Sequence, residues 1–178
     1  DSKQVKVYYE PGINREAVAE HTLGLVIGML RQIEANSLLL HNGFWHKNGG
    51  VGLYGKKVGI VGFGNIGSSL AALLTPFRCE LGYCDIVDRA EHAAVYGAKK
   101  FSFKELLSWA EVLSFHVPLT TETRYMLNRD TMKLLKPDVY IVNTSRGQVI
   151  EQASLREALE AGTIAGAALD VFESEPLV

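Results

Sequence analysis

The amino-acid sequence predicts an α/β fold, in which a doubly wound parallel sheet carries helices on both faces and is preceded by a long N-terminal helix. Short, continuously apolar segments alternate along the chain with longer segments of helical period, which is the pattern of βαβ units. Strands that are apolar throughout are typical of a parallel sheet buried on both faces. With 178 residues, 47% of them hydrophobic, residues 1–178 are expected to form one domain with a substantial core.

The predicted elements follow one another with short connections. Pro11-Gly12 breaks the chain, and apolar residues at helical spacing then predict a single helix from Asn14 to about Leu40. One face of this helix is narrow, with Ala17, Val18, His21, Leu25 and Gly28 along it. Strands are predicted at 58–61, 81–84, 112–117, 139–142 and 164–171, and helices at 66–77, 88–96, 102–109, within 120–136 and at 152–160.

The most informative motif joins the strand at 58–61 to the helix that follows it. In such a motif the first glycine permits a tight turn, the second lets the backbone approach a pyrophosphate, and the third lets the helix pack closely on the strand. Free N–H groups at the helix start receive the phosphate charge. This predicts a Rossmann-type dinucleotide site formed by Gly62, Gly64, Asn65, Ile66 and Gly67.

Asp85 indicates which dinucleotide the site takes. It stands at the end of the next predicted strand, close to the offset of about 20 residues expected for the acid that binds a ribose. A carboxylate accepts hydrogen bonds from both ribose hydroxyls of NAD and repels the extra phosphate of NADP. Asp85 therefore favours NAD. Arg89 could weaken that preference, but we interpret it as a solvated surface residue.

Composition limits the partners and the location of the protein. The net charge of −2 is spread along the chain, so neither nucleic acid nor a membrane surface is expected as a partner. The apolar run at 23–30 is too short to span a bilayer. Cys79 and Cys84 lack the paired spacing of a zinc site, so no metal is expected. With no signal peptide visible, a cytoplasmic location is expected.

Five motifs in this order resemble the D-isomer-specific 2-hydroxyacid dehydrogenase family, which includes phosphoglycerate, glycerate and D-lactate dehydrogenases. The resemblance covers nearly the whole chain. Besides the glycine motif with Asp85, it rests on Pro11-Gly12 with Val18-Ala-Glu-His-Thr-Leu-Gly-Leu, on His116-Val-Pro-Leu-Thr, on Asn143-Thr-Ser-Arg146-Gly147, and on Ala168-Leu-Asp170-Val-Phe-Glu-Ser-Glu175-Pro176. It implies an oxidoreductase that transfers a hydride between NAD and a small 2-hydroxy or 2-oxo acid.

The resemblance implies that Arg146 and Glu175 are catalytic. A guanidinium is permanently charged and presents a planar fork, which suits a 2-oxo acid held by its carboxylate and carbonyl oxygen. Glu175 matches the family's glutamate that pairs with a catalytic histidine and keeps it protonated. Glu173 is the alternative, but in the family pattern the functional acid directly precedes the proline.

Further cofactor contacts are implied at the ends of the later strands. Asp170 resembles the family's acid near the nicotinamide, where a carboxylate accepts a hydrogen bond from the cofactor's amide. Pro118 resembles the loop on the adenosine side, and His116 and Thr144 lie within matching motifs. A structural role for His116 stays open beside a cofactor contact.

Two parts of the family pattern have no counterpart in this sequence. The family's catalytic histidine follows the motif at Glu175-Pro176, and the chain ends at Val178. The family's substrate-binding domain, which closes over the cofactor and excludes water, also has no counterpart. We therefore expect negligible turnover from this chain alone.

Two other functions stay open on the sequence. One is an NAD-sensing regulator, because the transcriptional corepressors called C-terminal-binding proteins resemble the same family. The other is a dimerisation module without catalysis. In the family the cofactor domain supplies the dimer interface, so the long helix and an arm with Phe44 and Trp45 imply a homodimer.

Overall fold

The computed structural model describes residues 6, 8, 10–47 and 49–177 of the protein. The strands in this part of the chain are β1 Lys57–Val61, β2 Glu80–Cys84, β3 Lys99–Lys100, β4 Val112–Phe115, β5 Tyr140–Asn143 and β6 Gly166–Leu169. They form one sheet in the order β3-β2-β1-β4-β5-β6, and every neighbouring pair is parallel. The predicted parallel sheet is confirmed.

The first strand lies in the middle of the sheet. Val61, at its carboxyl end, pairs with Cys84 of β2 on one side and with Phe115 of β4 on the other. The chain builds outward from β1 to β3, then returns to build the second half from β4 to β6. The carboxyl ends of β1 and β4 thus form a switch point, which is where open α/β sheets bind their ligands.

Helices cover both faces of this sheet. Ile141 and Val142, which are neighbours on β5, belong to two different apolar cores, because successive side chains of a strand point to opposite faces. The predicted doubly wound arrangement is therefore confirmed. The helices of the described residues are α1 Arg15–Leu30, α2 Ile33–His41, α3 Asn65–Leu74, α4 Ala90–Ala94, α5 Phe103–Trp109, α6 Arg129–Met132 and α7 Gln152–Glu160.

The prediction of a single helix from Asn14 to Leu40 is wrong. The segment forms α1 and α2, which meet at an angle of 60°. Gln32 adopts the left-handed conformation, with φ 52° and ψ 38°, and so ends the helical path of α1. The loop that follows α2 returns to this break, where the Val51 N–H donates to the Leu30 carbonyl oxygen at 2.7 Å. Because Gln32 is neither glycine nor proline, the sequence pattern carries no signal for the break.

The remaining strands and α-helices match the predicted ones, with two additions, the strand β3 and a 3-10 helix at Gly147–Val149. α7 occupies 152–160 as predicted, and Ser102 with Glu105 forms the predicted capping box of α5. The short strand β3 was not predicted, because it consists of two exposed lysines and has no apolar pattern. Taken singly, none of the described helices has the length and apolar character needed to cross a membrane; α1 and α2 pass that test only as a bent pair.

Candidate functional site

The turn between β1 and α3 has the backbone geometry that its glycines predict. Gly62 has a φ of +90°, and a Cβ atom there would collide with the carbonyl oxygen of His116, the residue that follows β4. A Cβ atom at Gly67 would collide with the Gly62 carbonyl oxygen. Glycine at these two positions therefore lets α3 and the end of β4 approach the turn closely.

Gly64 is different, because it faces open space. Apart from Gly64 itself and the adjoining backbone, no described heavy atom lies within 4 Å of the position that its Cβ would occupy. Gly64 is the N-cap of α3, and no described side chain caps this helix start, which leads into Asn65 and Ile66. Unpaired N–H groups at the start of a helix of this length attract an anion. The space beside Gly64 therefore fits a pyrophosphate held by backbone N–H groups.

The Asp85 carboxylate is bound to the turn itself. Its Oδ2 atom accepts a hydrogen bond from the Phe63 N–H at 2.7 Å, and its Oδ1 atom accepts one from the Val87 N–H at 2.8 Å. The side chain is only 10% exposed. Each carboxylate oxygen keeps a second lone pair. Asp85 thus fixes the turn and can still accept a hydroxyl.

Arg89 lies over Asp85 and is not the solvated surface residue that we predicted. Its Nε atom is 4.0 Å from Asp85 Oδ2, and its side chain is 39% exposed. The Nε atom is buried and has no hydrogen-bond partner among the described residues. The contact between Arg89 and Asp85 was not predicted from the sequence, although an arginine four residues after the acid is a signal for such a pair.

A cleft of about 900 Å³ opens beside this turn. It lies over the carboxyl ends of β1, β2 and β4, and exposed apolar side chains, Ile86 and Val87, stand at its wall. Among the residues predicted to bind cofactor, those that line the cleft are Gly62, Gly64, Asp85, His116 and Pro118. The structure therefore brings residues from three separate strand ends to one cavity.

Two titratable side chains of the cleft are held in their neutral forms. Burial lowers the pKa of His116 to about 4, and its Nε2 atom lies 2.8 Å from the Ser114 hydroxyl. Burial also raises the pKa of Cys84 to about 12. Near neutral pH the imidazole is therefore uncharged and the thiol is protonated, which favours a structural role for both.

Arg146 lies after β5 in a loop that Asn143 organises. The Asn143 side chain donates to the Arg146 carbonyl oxygen at 2.9 Å and accepts from the Ser145 N–H and hydroxyl. Gly147 lies against the backbone of Phe172 so closely that a Cβ atom would collide with it. The arginine side chain is exposed and lines a second pocket of about 490 Å³ together with Glu175.

The two candidate glutamates differ in their hydrogen-bond partners. The Glu173 carboxylate accepts a hydrogen bond from the Gln152 N–H at the start of α7, at 2.7 Å, so it stabilises that helix start. Glu175 is exposed in the second pocket, and its carboxylate accepts only from Phe172 N–H, at 2.8 Å, among the described residues. Glu175 is therefore the acid that remains available to a partner.

The last two predicted residues contact α1. The Thr144 hydroxyl lies 2.9 Å from the hydroxyl of Thr22, and both side chains are buried, so Thr144 offers a ligand only its backbone. Asp170 follows β6, and its Oδ1 atom is 3.2 Å from His21 Nε2. His21 was predicted on one face of the N-terminal helix, and the sequence carries no signal for its contact with Asp170.

Comparison with known proteins identifies the family. Residues 23–178 match the model of the "D-isomer specific 2-hydroxyacid dehydrogenase, NAD binding domain". Glyoxylate reductase from Thermofilum pendens is 38% identical over 180 residues, an alignment that covers 97% of this chain and 53% of the relative. D-3-phosphoglycerate dehydrogenase from Bacillus subtilis is 39% identical over 176 residues, and the alignment covers 98% of this chain and 34% of the relative.

A solved structure has the same fold. D-lactate dehydrogenase from Aquifex aeolicus, complexed with NAD and lactic acid, superposes with a TM-score of 0.85 at 32% identity and covers 90% of this chain and 49% of that one. The chain spans about half the length of such relatives or less. Together with the sheet order and the glycine turn, these matches show that the chain belongs to the D-isomer-specific 2-hydroxyacid dehydrogenase family and is an NAD-binding domain of it.

Proposed function

We propose that the cleft at the switch point holds NAD through the residues described above. The backbone N–H groups at Gly64, Asn65 and Ile66 bind the pyrophosphate, and Asp85 accepts the hydroxyls of the adenosine ribose. The open position at Gly64, beside an acid that is bonded to the same turn, is the observation that carries this assignment. Pro118 and the apolar side chains at 86 and 87 border the adenine.

The nicotinamide half then lies toward the second pocket. The Asp170 carboxylate accepts a hydrogen bond from the nicotinamide amide and so selects the ring face that meets the substrate. When it is bound, the cofactor supplies the hydride acceptor or donor. Arg146 orients a 2-oxo acid by its carboxylate and carbonyl oxygen, so that the carbonyl carbon faces the ring.

In the whole protein, these residues serve hydride transfer between NAD and a D-2-hydroxy acid. In this proposal Glu175 pairs with the family's catalytic histidine, expected after Pro176 in the whole protein, and that histidine donates the proton to the reduced carbonyl. The relatives include a glyoxylate reductase and a D-3-phosphoglycerate dehydrogenase, which supports small 2-oxo acids as the substrate class. The relatives reported above are dehydrogenases and reductases and do not favour a regulator. We propose that this chain alone binds the cofactor with negligible turnover.

A calorimetric titration with NADH and, in parallel, NADPH tests the proposed site. We expect saturable binding in which NADH is clearly preferred. The matched variants are Gly64→Ala and Gly52→Ala, since both glycines are free of close neighbours and have negative φ values. Gly64→Ala should leave the thermal transition unchanged and weaken NADH binding roughly tenfold or more, because the backbone can no longer approach the pyrophosphate. If Gly52→Ala has the same effect, or if neither dinucleotide binds, the assignment is wrong.

We also propose that the chain forms a homodimer in the cytoplasm. Gly24 and Gly28 of α1 face open space, and no residue of α2 is buried among the described residues. Phe44 and Trp45 are 65% and 79% exposed, and such apolar surface supports association with a second copy. Both cysteines of the sequence are free thiols, which agrees with a reducing compartment.

A further inference from the structure

Two consecutive side chains of α1 reach across to the loops that follow β5 and β6. His21 Nε2 lies 3.2 Å from Asp170 Oδ1, and each side chain is about half exposed. Thr22, the next residue, is completely buried, and its hydroxyl lies 2.9 Å from that of Thr144. The buried hydroxyl pair holds this turn of α1 against the sheet edge. His21 therefore meets Asp170 from an anchored backbone position.

The backbone of Asp170 is also fixed. Its N–H donates to the Asn143 carbonyl oxygen at 3.0 Å, which continues the β5–β6 ladder one residue beyond Leu169. With the backbone held in this way, only the side-chain torsions of Asp170 are free to vary. Among the described ion pairs, His21 is the group that contacts this carboxylate. The contact engages Oδ1 and leaves Oδ2 for another donor.

An exposed ion pair by itself adds little to the stability of a fold. A contact that selects one rotamer of a binding group acts differently, because it reduces the ordering that the group must undergo when the ligand arrives. The geometry therefore suits a role in ligand binding better than a role in stability.

We propose that His21 is a positioning residue, which holds the Asp170 carboxylate so that its second oxygen accepts the amide of the nicotinamide ring. The inference rests on the proposed cofactor site. It assigns a role in nicotinamide recognition to α1, a helix that lies outside the cleft residues. Either the Nε2–H tautomer or the imidazolium of His21 can donate to Oδ1.

Two ligands that differ only at the nicotinamide separate this role from a structural one. NADH carries the ring and its amide, whereas ADP-ribose ends at the second ribose. In the full chain, His21→Ala removes the donor without adding bulk, and alanine favours the helix. We expect it to weaken NADH binding about 3- to 10-fold, as for one lost hydrogen bond, and to change ADP-ribose binding less than about 2-fold.

A conservative variant and a matched control complete the experiment. His21→Gln retains a side-chain N–H donor and should bind NADH within about 2-fold of the native chain. His41→Ala removes a histidine whose Nδ1 atom contacts only Ser37 of its own helix, and it should leave both ligands unchanged. In an Asp170→Asn background, His21→Ala should have no further effect on NADH, because the carboxylate that it positions is gone.

The outcomes separate the inference from the proposed site. If the native chain binds NADH and His21→Ala leaves it unchanged, the positioning role is wrong and the site stands. Equal weakening of NADH and ADP-ribose, or loss of both, also overturns the role, since His21 would then act on the whole site. If the native chain binds neither ligand, the proposed function itself fails.

Discussion

The Asp85 carboxylate contacts two backbone N–H groups of the chain and the charge of Arg89. In the proposed site, the negative charge of Asp85 would oppose the 2′-phosphate of NADPH, and the neighbouring Arg89 guanidinium would attract it. Asp85→Asn keeps the shape and one acceptor oxygen but removes the charge. We expect the ratio of NADPH to NADH affinity to rise roughly tenfold or more, because charges near a protein surface interact by a few kcal/mol at 4 Å. Parallel calorimetric titrations measure this ratio.

Asp88→Asn is the control for this change. Its carboxylate lies three residues further on, is 82% exposed and faces Lys100 at 3.9 Å. Neutralising it should alter the affinity ratio by no more than about 2-fold, since solvent screens exposed charges. A second arm adds Arg89→Gln to Asp85→Asn and should reverse the gain in NADPH affinity. An unchanged ratio in Asp85→Asn would contradict the role of the charge.

His116 makes the stability of the fold depend on pH. Its pKa falls from the ordinary 6.5 to about 4 because the ring is buried. Between these values the unfolded chain binds a proton that the folded chain does not, so stability is full above pH 6.5 and decreases as pH falls toward 4. The contribution is about 1–3 kcal/mol. Denaturant unfolding from pH 7.5 to pH 4 measures it, with His116→Gln as reference.

The reference variant removes the titration and keeps a polar group near Ser114. Carboxylates that titrate in the same range are common to both proteins, so they cancel when the two unfolding free energies are subtracted. The native chain should therefore lose stability relative to His116→Gln as the pH falls. Two parallel curves would show that the ring is not held neutral.

At the level of single residues, part of the candidate site could be predicted from the sequence and part could not. The glycine motif and Asp85 were predictable, because their spacing follows from the turn that a phosphate needs. The contact of His21 with Asp170 joins residues far apart in sequence and depends on the packing of α1 over the sheet edge. Side-chain partners of this kind require the fold, so this pair could not be read from the chain. For Arg89 the spacing of four residues from Asp85 was a signal, but the sequence did not show that the arginine lies over the carboxylate.

The strands of the sheet other than β3 were predictable for a related reason. Buried parallel strands are apolar at every position, and the capping box at Ser102 marks a helix start by local hydrogen bonds alone. The break between α1 and α2 depends instead on a return contact from Val51 to Leu30. A long-range contact of this kind overrides a helical pattern that continues through Gln32.

The same break gives a prediction for stability. Gln32 has a φ of 52°, which costs a side-chain-bearing residue about 1 kcal/mol, whereas glycine adopts it readily. Gln32→Gly should therefore raise the free energy of unfolding by up to about 1 kcal/mol. Ala35→Gly, within the right-handed α2, should lower it by about 1 kcal/mol. Denaturant titration of both variants measures whether the free energy of unfolding rises or falls. A lower free energy of unfolding in Gln32→Gly would contradict the assigned strain.

At the scale of the whole molecule, the two candidate binding surfaces lie on different parts of the chain. The cleft and the second pocket both lie at the carboxyl edge of the sheet. The exposed apolar side chains of α1 and α2 lie outside these two pockets. Leu38, Leu40 and Ile33 of α2 are all more than half exposed, beside Phe44 and Trp45. This surface is continuous along the chain and is defined here as the α2 surface, residues 33–45. Apolar surface of this kind favours association with a partner over exposure to water.

Sedimentation at several concentrations tests the proposed homodimer on this surface. The native chain should sediment as a dimer at micromolar concentration, and Leu38→Glu should shift it to a monomer, because a charge would then be buried without a partner. Val95→Glu places the same charge on an equally apolar side chain, 75% exposed at the end of α4, and should leave the dimer intact. A native chain that stays monomeric at every concentration would contradict the dimer. Equal dissociation by both variants would place the interface elsewhere than on the α2 surface.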